Sequence, residues 1–210
     1  MRDLTSDLRK QKFIELILPA ILITKQRNEN YRKKILAIGS KVYPTRRDQE
    51  FIRTLKAKYL AEDTKDLLVR LETHPTSIVL AQAALESGWG TSRFFNEANN
   101  IFGVWSFSSK EPRIYGVTRS NGQVIYLKKY DTYLQSIENY FMILATGKGF
   151  SEFRKARSTS KDPIHLATYL SRYSEQREEY VKKIVSLIES AELKQYDEHT
   201  IDPIYIKDRE

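Results

Sequence analysis

Apolar residues recur at helical spacing along most of this chain, and one stretch is apolar on nearly every face. From Pro75 to Leu85 no side chain is charged, and only Thr76, Ser77 and Gln82 interrupt Ile78, Val79, Leu80, Ala81, Ala83, Ala84 and Leu85. A helix without a polar face is a core helix. Pro75 suits its first position, where a missing N–H is no loss, and Gly88 and Gly90 suit its end, where a left-handed residue is needed. Glu86 therefore stands in the last turn of a buried helix.

The rest of the pattern is also mainly helical. Residues 7–27 carry Phe13, Ile14, Ile17, Leu18, Ile21 and Leu22 on one broad face, with Pro19 expected to kink or restart the helix, and a second helix follows over 28–38. Thr45 or Asp48 opens a helix ending at Tyr59, and residues 63–71 form a shorter one. After Gly90, Asn99, Asn100 and Gly103 break the periodicity and predict a compact aromatic loop. Residues 113–130 change type: two runs rich in Val, Ile, Thr and Tyr flank Asn121-Gly122, a strong hairpin signal. Asp131 or Thr132 then caps a helix to Ala145. Two short helices follow over 149–157 and 163–170, then a long one from Ser174 or Glu175 to Leu193. The tail, 194–210, has little periodicity and reads as an extended strap or a disordered end.

Composition narrows the function classes. A chain of 210 residues with 40% hydrophobic content is the size of one substantial domain. Its 35 Lys and Arg against 27 Asp and Glu give a net charge of +8, which favours polyanionic surroundings: nucleic acid, anionic lipid and the anionic polymers of a cell wall all qualify. The basic residues are interleaved with acids instead of clustered, which argues against nucleic acid. With no cysteine there is no thiol nucleophile, disulfide or Cys-ligated zinc. His74, His165 and His199 lack the i, i+4 pairing of a helical metal site, so no metal is expected. GxGxxG and GxxxxGK[ST] are absent, and no cofactor is expected. No segment reaches the roughly 18 apolar residues of a membrane span. The nearest, residues 13–23, contains Glu15 and Pro19 and reads as a packed helix rather than a signal peptide.

The candidate chemistry centres on Glu86. Apolar surroundings and the negative end of a helix dipole both disfavour an ionised carboxylate, so its pKa is pushed upward. A carboxylic acid kept protonated near neutral pH is what a general acid for glycosidic cleavage requires. The plain alternative is a glutamate that turns to solvent or pairs with Arg93. Trp89 and Trp105 are the aromatics expected to face a ligand, because aromatic rings stack on sugars as readily as they fill cores.

The stretch AQAALESGWGTSRF followed by NNIFGVWSF resembles the glucosaminidase family of peptidoglycan hydrolases, within the lysozyme-like superfamily, and most closely its Bax-type branch. Glu86, Ser87, Gly88, Trp89, Gly90, Ser92, Asn100, Phe102 and Gly103 stand at the places of the family motif. LKKYDTYLQSIENYF, FSEFRKAR and RYSEQREEYVKKIVSLI resemble later family segments, so the likeness runs from about Pro75 to Leu193. The resemblance implies cleavage of the β-1,4 bond between N-acetylglucosamine and N-acetylmuramic acid, with Glu86 as general acid and Tyr173 as the tyrosine facing it. Ser87, Trp89, Asn100 and Phe102, at the motif's places, are expected to bind substrate, together with Trp105 on the stacking argument above. Many relatives place a second acid in or near the hairpin, whose strands carry none here. Glu111, just before them, is the closest candidate and Glu175 a weaker one; otherwise the substrate's own acetamido group helps activate water.

The expected fold is therefore a mainly α, lysozyme-like α+β domain with a small β-hairpin lobe. Its divisions are N-terminal helices over 1–72, a glucosaminidase domain over 73–194 and a tail over 195–210. The expected partner is the peptidoglycan glycan strand, met by a monomer in the cell envelope, with no nucleic acid and no membrane span. The rivals are a lytic transglycosylase or muramidase using the same glutamate, and a non-catalytic wall-binding domain.

Overall fold

The structure, a computed structural model, describes residues 1 and 3–206. Its element order is α1 (Ser6–Gly39), α2 (Arg46–Tyr59), α3 (Thr64–Leu71), α4 (Thr76–Ser87), α5 (Arg93–Ala98), β1 (Trp105–Ser106), β2 (Arg113–Thr118), β3 (Val124–Lys128), α6 (Tyr133–Thr146), α7 (Ser151–Thr159), α8 (Pro163–Ala167) and α9 (Glu178–Ser190). Short 3-10 turns occupy Lys148–Phe150, Thr168–Tyr173, Leu193–Tyr196 and Pro203–Tyr205. The expected class, mainly helical with a small antiparallel sheet, is what forms.

The central helix is α4. Every residue from Thr76 to Ala84 is buried, and α1, α8, α9 and the Leu193–Tyr196 turn surround it. Its apolar residues join Phe13, Ile17 and Ile21 of α1, Ile137, Tyr140 and Leu144 of α6, and Tyr180, Ile184 and Ile188 of α9 in one core. Burying a side chain such as Ile78 or Leu80 stabilises the fold by about 1.5–3 kcal/mol. A second core joins Ile35, Leu55, Tyr59, Leu67 and Leu71. Pro75 precedes α4 with an extended ψ of 139° and provides no side-chain cap. The cap comes from far along the chain: the Asp197 carboxylate accepts from the Ser77 N–H at 2.7 Å and from the Ser77 hydroxyl at 2.9 Å. The first part of the tail is thus a strap over α4; residues 207–210 lie outside the described residues.

Four expectations need correction. The first two helices are one: α1 runs 34 residues with Pro19 inside it. The expected break at Asn28 fails because Asn28 is buried and accepts from the Tyr59 hydroxyl at 3.3 Å, while neighbouring Arg27 pairs with Glu138. Packing along the whole inner face outweighs the hydrogen bond that a proline removes. The aromatic loop contains α5, whose N-cap Ser92 accepts from the Phe95 N–H at 3.1 Å and whose end is closed by left-handed Asn99. The hairpin has gained a third strand, giving the sheet order β1-β3-β2. Finally, α9 starts at Glu178, after the 3-10 turn Thr168–Tyr173 has extended α8.

The turn at Asn121-Gly122 forms where expected, with Gly122 at φ 79°. Arg113 pairs with Lys128 and Tyr115 with Tyr126, and the register slips between Tyr115 and Val117, at Gly116. A Cβ at Gly116 would lie 2.4 Å from Leu127 Cδ1 and 2.8 Å from the Ile125 carbonyl, so the bulge needs glycine.

Candidate active site

Three consecutive left-handed residues end α4: Gly88 at φ 58°, Trp89 at φ 55° and Gly90 at φ 77°. For a bulky residue such as Trp89 this is a strained conformation of a kind that clusters at functional sites. Packing holds it there, since the Trp89 ring meets Phe13 edge-on at 5.5 Å and Lys10 lies 5.9 Å from its centre. A Cβ on Gly90 would sit 3.1 Å from Phe95 and 3.2 Å from Phe13, so crowding adds to the positive φ in requiring glycine. The Ser87 hydroxyl donates to the Ala83 carbonyl at 2.6 Å and accepts from the Gly90 N–H at 3.0 Å. Through this turn the chain leaves the core just as Glu86 reaches partial exposure.

Burial holds the Glu86 carboxyl above the ordinary carboxylate range, and a side-chain hydrogen bond from Tyr180 partly opposes that shift. Tyr173, half-buried, stands beside the pair: its ring stacks on Tyr180 with centres 5.6 Å apart and planes 15° apart. Burial first, then the neighbouring Tyr180, Tyr140 and Glu86, push the Tyr173 phenol well above its usual value. It is therefore a neutral donor at any physiological pH. An acid held towards its protonated form beside neutral phenols suits acid-assisted cleavage, because the acid can give up its proton while the phenols hydrogen-bond without adding charge.

Glu111 lies in the sheet lobe in an opposite environment. Its carboxylate accepts from the Ser106 hydroxyl at 2.8 Å and pairs with Lys128 at 3.0 Å. Those contacts, Ser106 before Lys128, hold its carboxyl below the usual range. Tyr130 is within electrostatic reach of Glu111 on one side and Tyr173 on the other, and its hydroxyl donates to Asn139 at 2.7 Å.

The remaining candidates divide by exposure. Ser87, Asn100 and Phe102 are buried and support the site from within. Asn100 donates to the carbonyls of Val104 at 3.0 Å and Lys128 at 2.8 Å and accepts from the Val104 N–H at 2.9 Å, fastening the turn to the sheet. Phe102 stacks on Tyr140 at 4.4 Å. Trp105 is well exposed, at 40%, with the Arg119 guanidinium 4.9 Å from its ring centre and the still more exposed Phe107 beside it at 6.2 Å. Glu175 is exposed, in the turn before α9. Among the described residues no group of three or more His, Cys, Asp or Glu is placed to hold a metal ion, and no helix is long and apolar enough to cross a membrane.

Sequence reasoning missed Gln82 and Tyr180, which lie directly behind Glu86. The available signal was Gln82 itself, a single amide in an apolar helix and one turn before the acid.

A half-buried acid at the end of a core helix, facing tyrosines and flanked by a small sheet, is the equipment of a glycosidase. Residues 61–193 match the family described as mannosyl-glycoprotein endo-beta-N-acetylglucosaminidase, and the chain belongs to this glucosaminidase family. It is 30% identical over 159 residues to protein bax of Escherichia coli, covering 71% of this chain and 56% of that protein. It is 28% identical over 153 residues to the peptidoglycan hydrolase FlgJ of Salmonella typhimurium, covering 62% and 47% respectively. The chain thus spans about half the length of these relatives. Among solved structures it is similar to the catalytic domain of the autolysin Auto from Listeria monocytogenes, at 25% identity over 77% of this chain and 93% of that one, with a TM-score of 0.49.

Proposed function

We propose that this protein hydrolyses peptidoglycan at the β-1,4 bond between N-acetylglucosamine and N-acetylmuramic acid, with Glu86 as the proton donor. The observation that carries the reading is the Glu86 carboxyl, partly exposed at the end of a fully buried helix and held by burial towards its protonated form. The substrate class follows from the family and from relatives named as peptidoglycan hydrolases, and the envelope location follows from the substrate.

In this mechanism Glu86 gives its proton to the glycosidic oxygen as the bond to the anomeric carbon breaks, and water then adds to that carbon as its own proton passes to a carboxylate, Glu111 or the Glu86 just ionised. The neutral Tyr173 phenol hydrogen-bonds the N-acetyl group or the charge developing beside it. Glu111 contributes a carboxylate that is ionised throughout the working range, as a base or charge stabiliser requires. Trp105 and its exposed neighbour Phe107 offer aromatic surface to sugar faces. The excess of Lys and Arg draws the protein to anionic wall polymers.

The test is digestion of purified peptidoglycan by the wild type and by Glu86→Gln, with mass spectrometry of the fragments. The wild type releases reducing N-acetylglucosamine ends, and the variant is slower by on the order of a hundredfold or more. Undiminished turnover by Glu86→Gln overturns the assignment. Anhydro-muramic ends would instead make the enzyme a lytic transglycosylase, and binding without fragments would make it a wall-binding domain.

A further inference from the structure

Behind Glu86 a file of polar side chains crosses the apolar core. Tyr180 of α9 reaches the Glu86 carboxyl. The Tyr180 hydroxyl accepts from Gln82 Nε2 at 2.8 Å. Gln82 Oε1 accepts from the Tyr140 hydroxyl at 2.6 Å, and that hydroxyl meets His74 Nε2 at 3.0 Å. His74, Gln82, Tyr140 and Tyr180 are all at most 2% exposed, so water cannot substitute for these contacts at low cost.

The donors in this file all point one way. The single proton of the Tyr140 hydroxyl goes to Gln82 Oε1, so His74 Nε2 must be the donor to Tyr140 and His74 must carry its proton there. Burial, then the charge of Arg157, keep His74 neutral, and its other nitrogen, Nδ1, has no partner. With its oxygen committed to Tyr140, Gln82 can only donate to Tyr180. The Tyr180 proton is thereby left to point at Glu86. Ring stacking fixes both phenols, Tyr140 on Phe102 at 4.4 Å and Tyr180 on Tyr173 at 5.6 Å.

We infer that His74, Tyr140, Gln82 and Tyr180 form a one-way chain of hydrogen-bond donors that positions the Glu86 carboxyl and keeps a hydroxyl proton directed at it. The inference rests on the reading of Glu86 as the proton donor for its catalytic meaning, but not for its geometry. A donor aimed at the carboxyl favours the ionised form that exists after proton transfer, and it offsets part of the desolvation that holds the acid protonated. If Gln82 were rotated, Tyr180 would give its proton to Gln82 and turn an oxygen lone pair towards Glu86. His74, at the far end, thus selects which face of Tyr180 the acid meets, acting as a positioning residue through three others.

The groups around the chain are few. Glu86 faces Tyr180 of α9 and Tyr173 of the turn before it. His74 faces the cations Arg157, Lys25 and Lys161. Lys25 and Asp197 meet α4 only at its first turn, through Thr76 and Ser77.

The test is a carbon-13 NMR titration of the glutamate side-chain carboxyls in the full chain, with the Glu86 signal assigned by its loss in Glu86→Gln. Tyr180→Phe removes the terminal donor and raises the Glu86 midpoint by about one pH unit. Tyr140→Phe, which touches neither Glu86 nor substrate, raises it in the same direction by freeing Gln82 to rotate. The double variant shifts it no further than Tyr180→Phe alone, because both act through one contact. Gln82→Met, which removes the amide oxygen that could take the Tyr180 proton, leaves the Glu86 midpoint at or below that of the wild type. Turnover follows: kcat falls about tenfold with KM little changed, and the alkaline limb of activity moves to higher pH. A Glu86 midpoint unmoved in folded Tyr140→Phe, a midpoint raised in Gln82→Met, or additive shifts in the double variant overturns the inference. Retained activity in Glu86→Gln overturns the catalytic reading instead, and leaves the titration shifts standing.

Discussion

The two candidate carboxylates, Glu86 and Glu111, sit in regions built on opposite terms. Around Glu86 the chain is closed: a core helix with no polar face, the buried Tyr140 and Tyr180 both hydrogen-bonded to Gln82, and a carboxyl that burial pushes towards neutrality. Around Glu111 it is open: a three-stranded sheet with Phe107 87%, Val117 56% and Tyr115 51% exposed, where a lysine and a serine keep the carboxylate ionised. Titratable groups whose surroundings drive them apart take opposite roles in acid–base chemistry. In the proposed mechanism Glu86 gives the proton and Glu111 offers the negative charge, so the helical core and the sheet lobe would each supply one of the two.

The comparison can be broken first at the core. Loss of turnover on the order of a hundredfold or more in Glu86→Gln is the largest effect expected. Next comes Phe13→Ala, which removes a fully buried ring packed against Trp89 and Phe95. It should lower unfolding free energy by about 3–5 kcal/mol in a denaturant titration and release the strained turn after Glu86. A cost below about 1 kcal/mol would mean that α1 does not hold that turn.

In the lobe the expected effects are smaller. Glu111→Gln should reduce turnover about tenfold, because its charge assists while Glu86 carries the proton. A loss as large as that of Glu86→Gln would make the two carboxylates equal partners. Trp105→Ala should leave thermal stability within about 0.5 kcal/mol, as for a surface position, while raising KM for peptidoglycan several-fold. Unchanged KM would remove Trp105 from the substrate surface.

The smallest effect is the most diagnostic of the contrast, because the two carboxylates have opposite signs of pH dependence. Glu86 is raised in the fold, so its neutral form stabilises the protein at low pH, and that contribution is lost as pH rises through the raised value. Glu86→Gln should therefore be slightly more stable than wild type at neutral pH and equal to it near pH 4. Glu111 is lowered, so its contribution is present above the ordinary carboxylate range and lost as pH falls through the folded value. Glu111→Gln should be less stable than wild type at neutral pH and converge with it in acid. Calorimetry across pH reads both, and curves of the same sign would erase the distinction between the regions.

Much of this was legible in the residues. The apolar run before Glu86, the glycines after it, the Asn121-Gly122 turn and the caps Thr45 and Thr132, each the first or second of two residues expected there, are local signals that operate where the sequence places them. The break expected at Asn28 was illegible for the complementary reason: an asparagine that looks like a helix end becomes a buried acceptor once Tyr59 arrives from another helix. The motif's polar and aromatic residues were legible as a group but not as individuals. Ser87, Asn100 and Phe102 turn inward and Trp105 turns outward, and nothing local distinguishes them.

By itself the sequence determined which segment would be the core helix, where its acid would stand and where the hairpin would turn, because helical period, glycine conformation and turn chemistry act over a few residues. Only the tertiary structure decided what surrounds the acid. The cap that Asp197 gives Ser77 joins residues 120 positions apart, and the hydrogen bonds of the file behind Glu86 join residues 58 to 98 positions apart across α4, α6 and α9. The direction of a hydrogen bond or the pKa of a buried acid depends on desolvation and on partners that arrive only when the chain has folded.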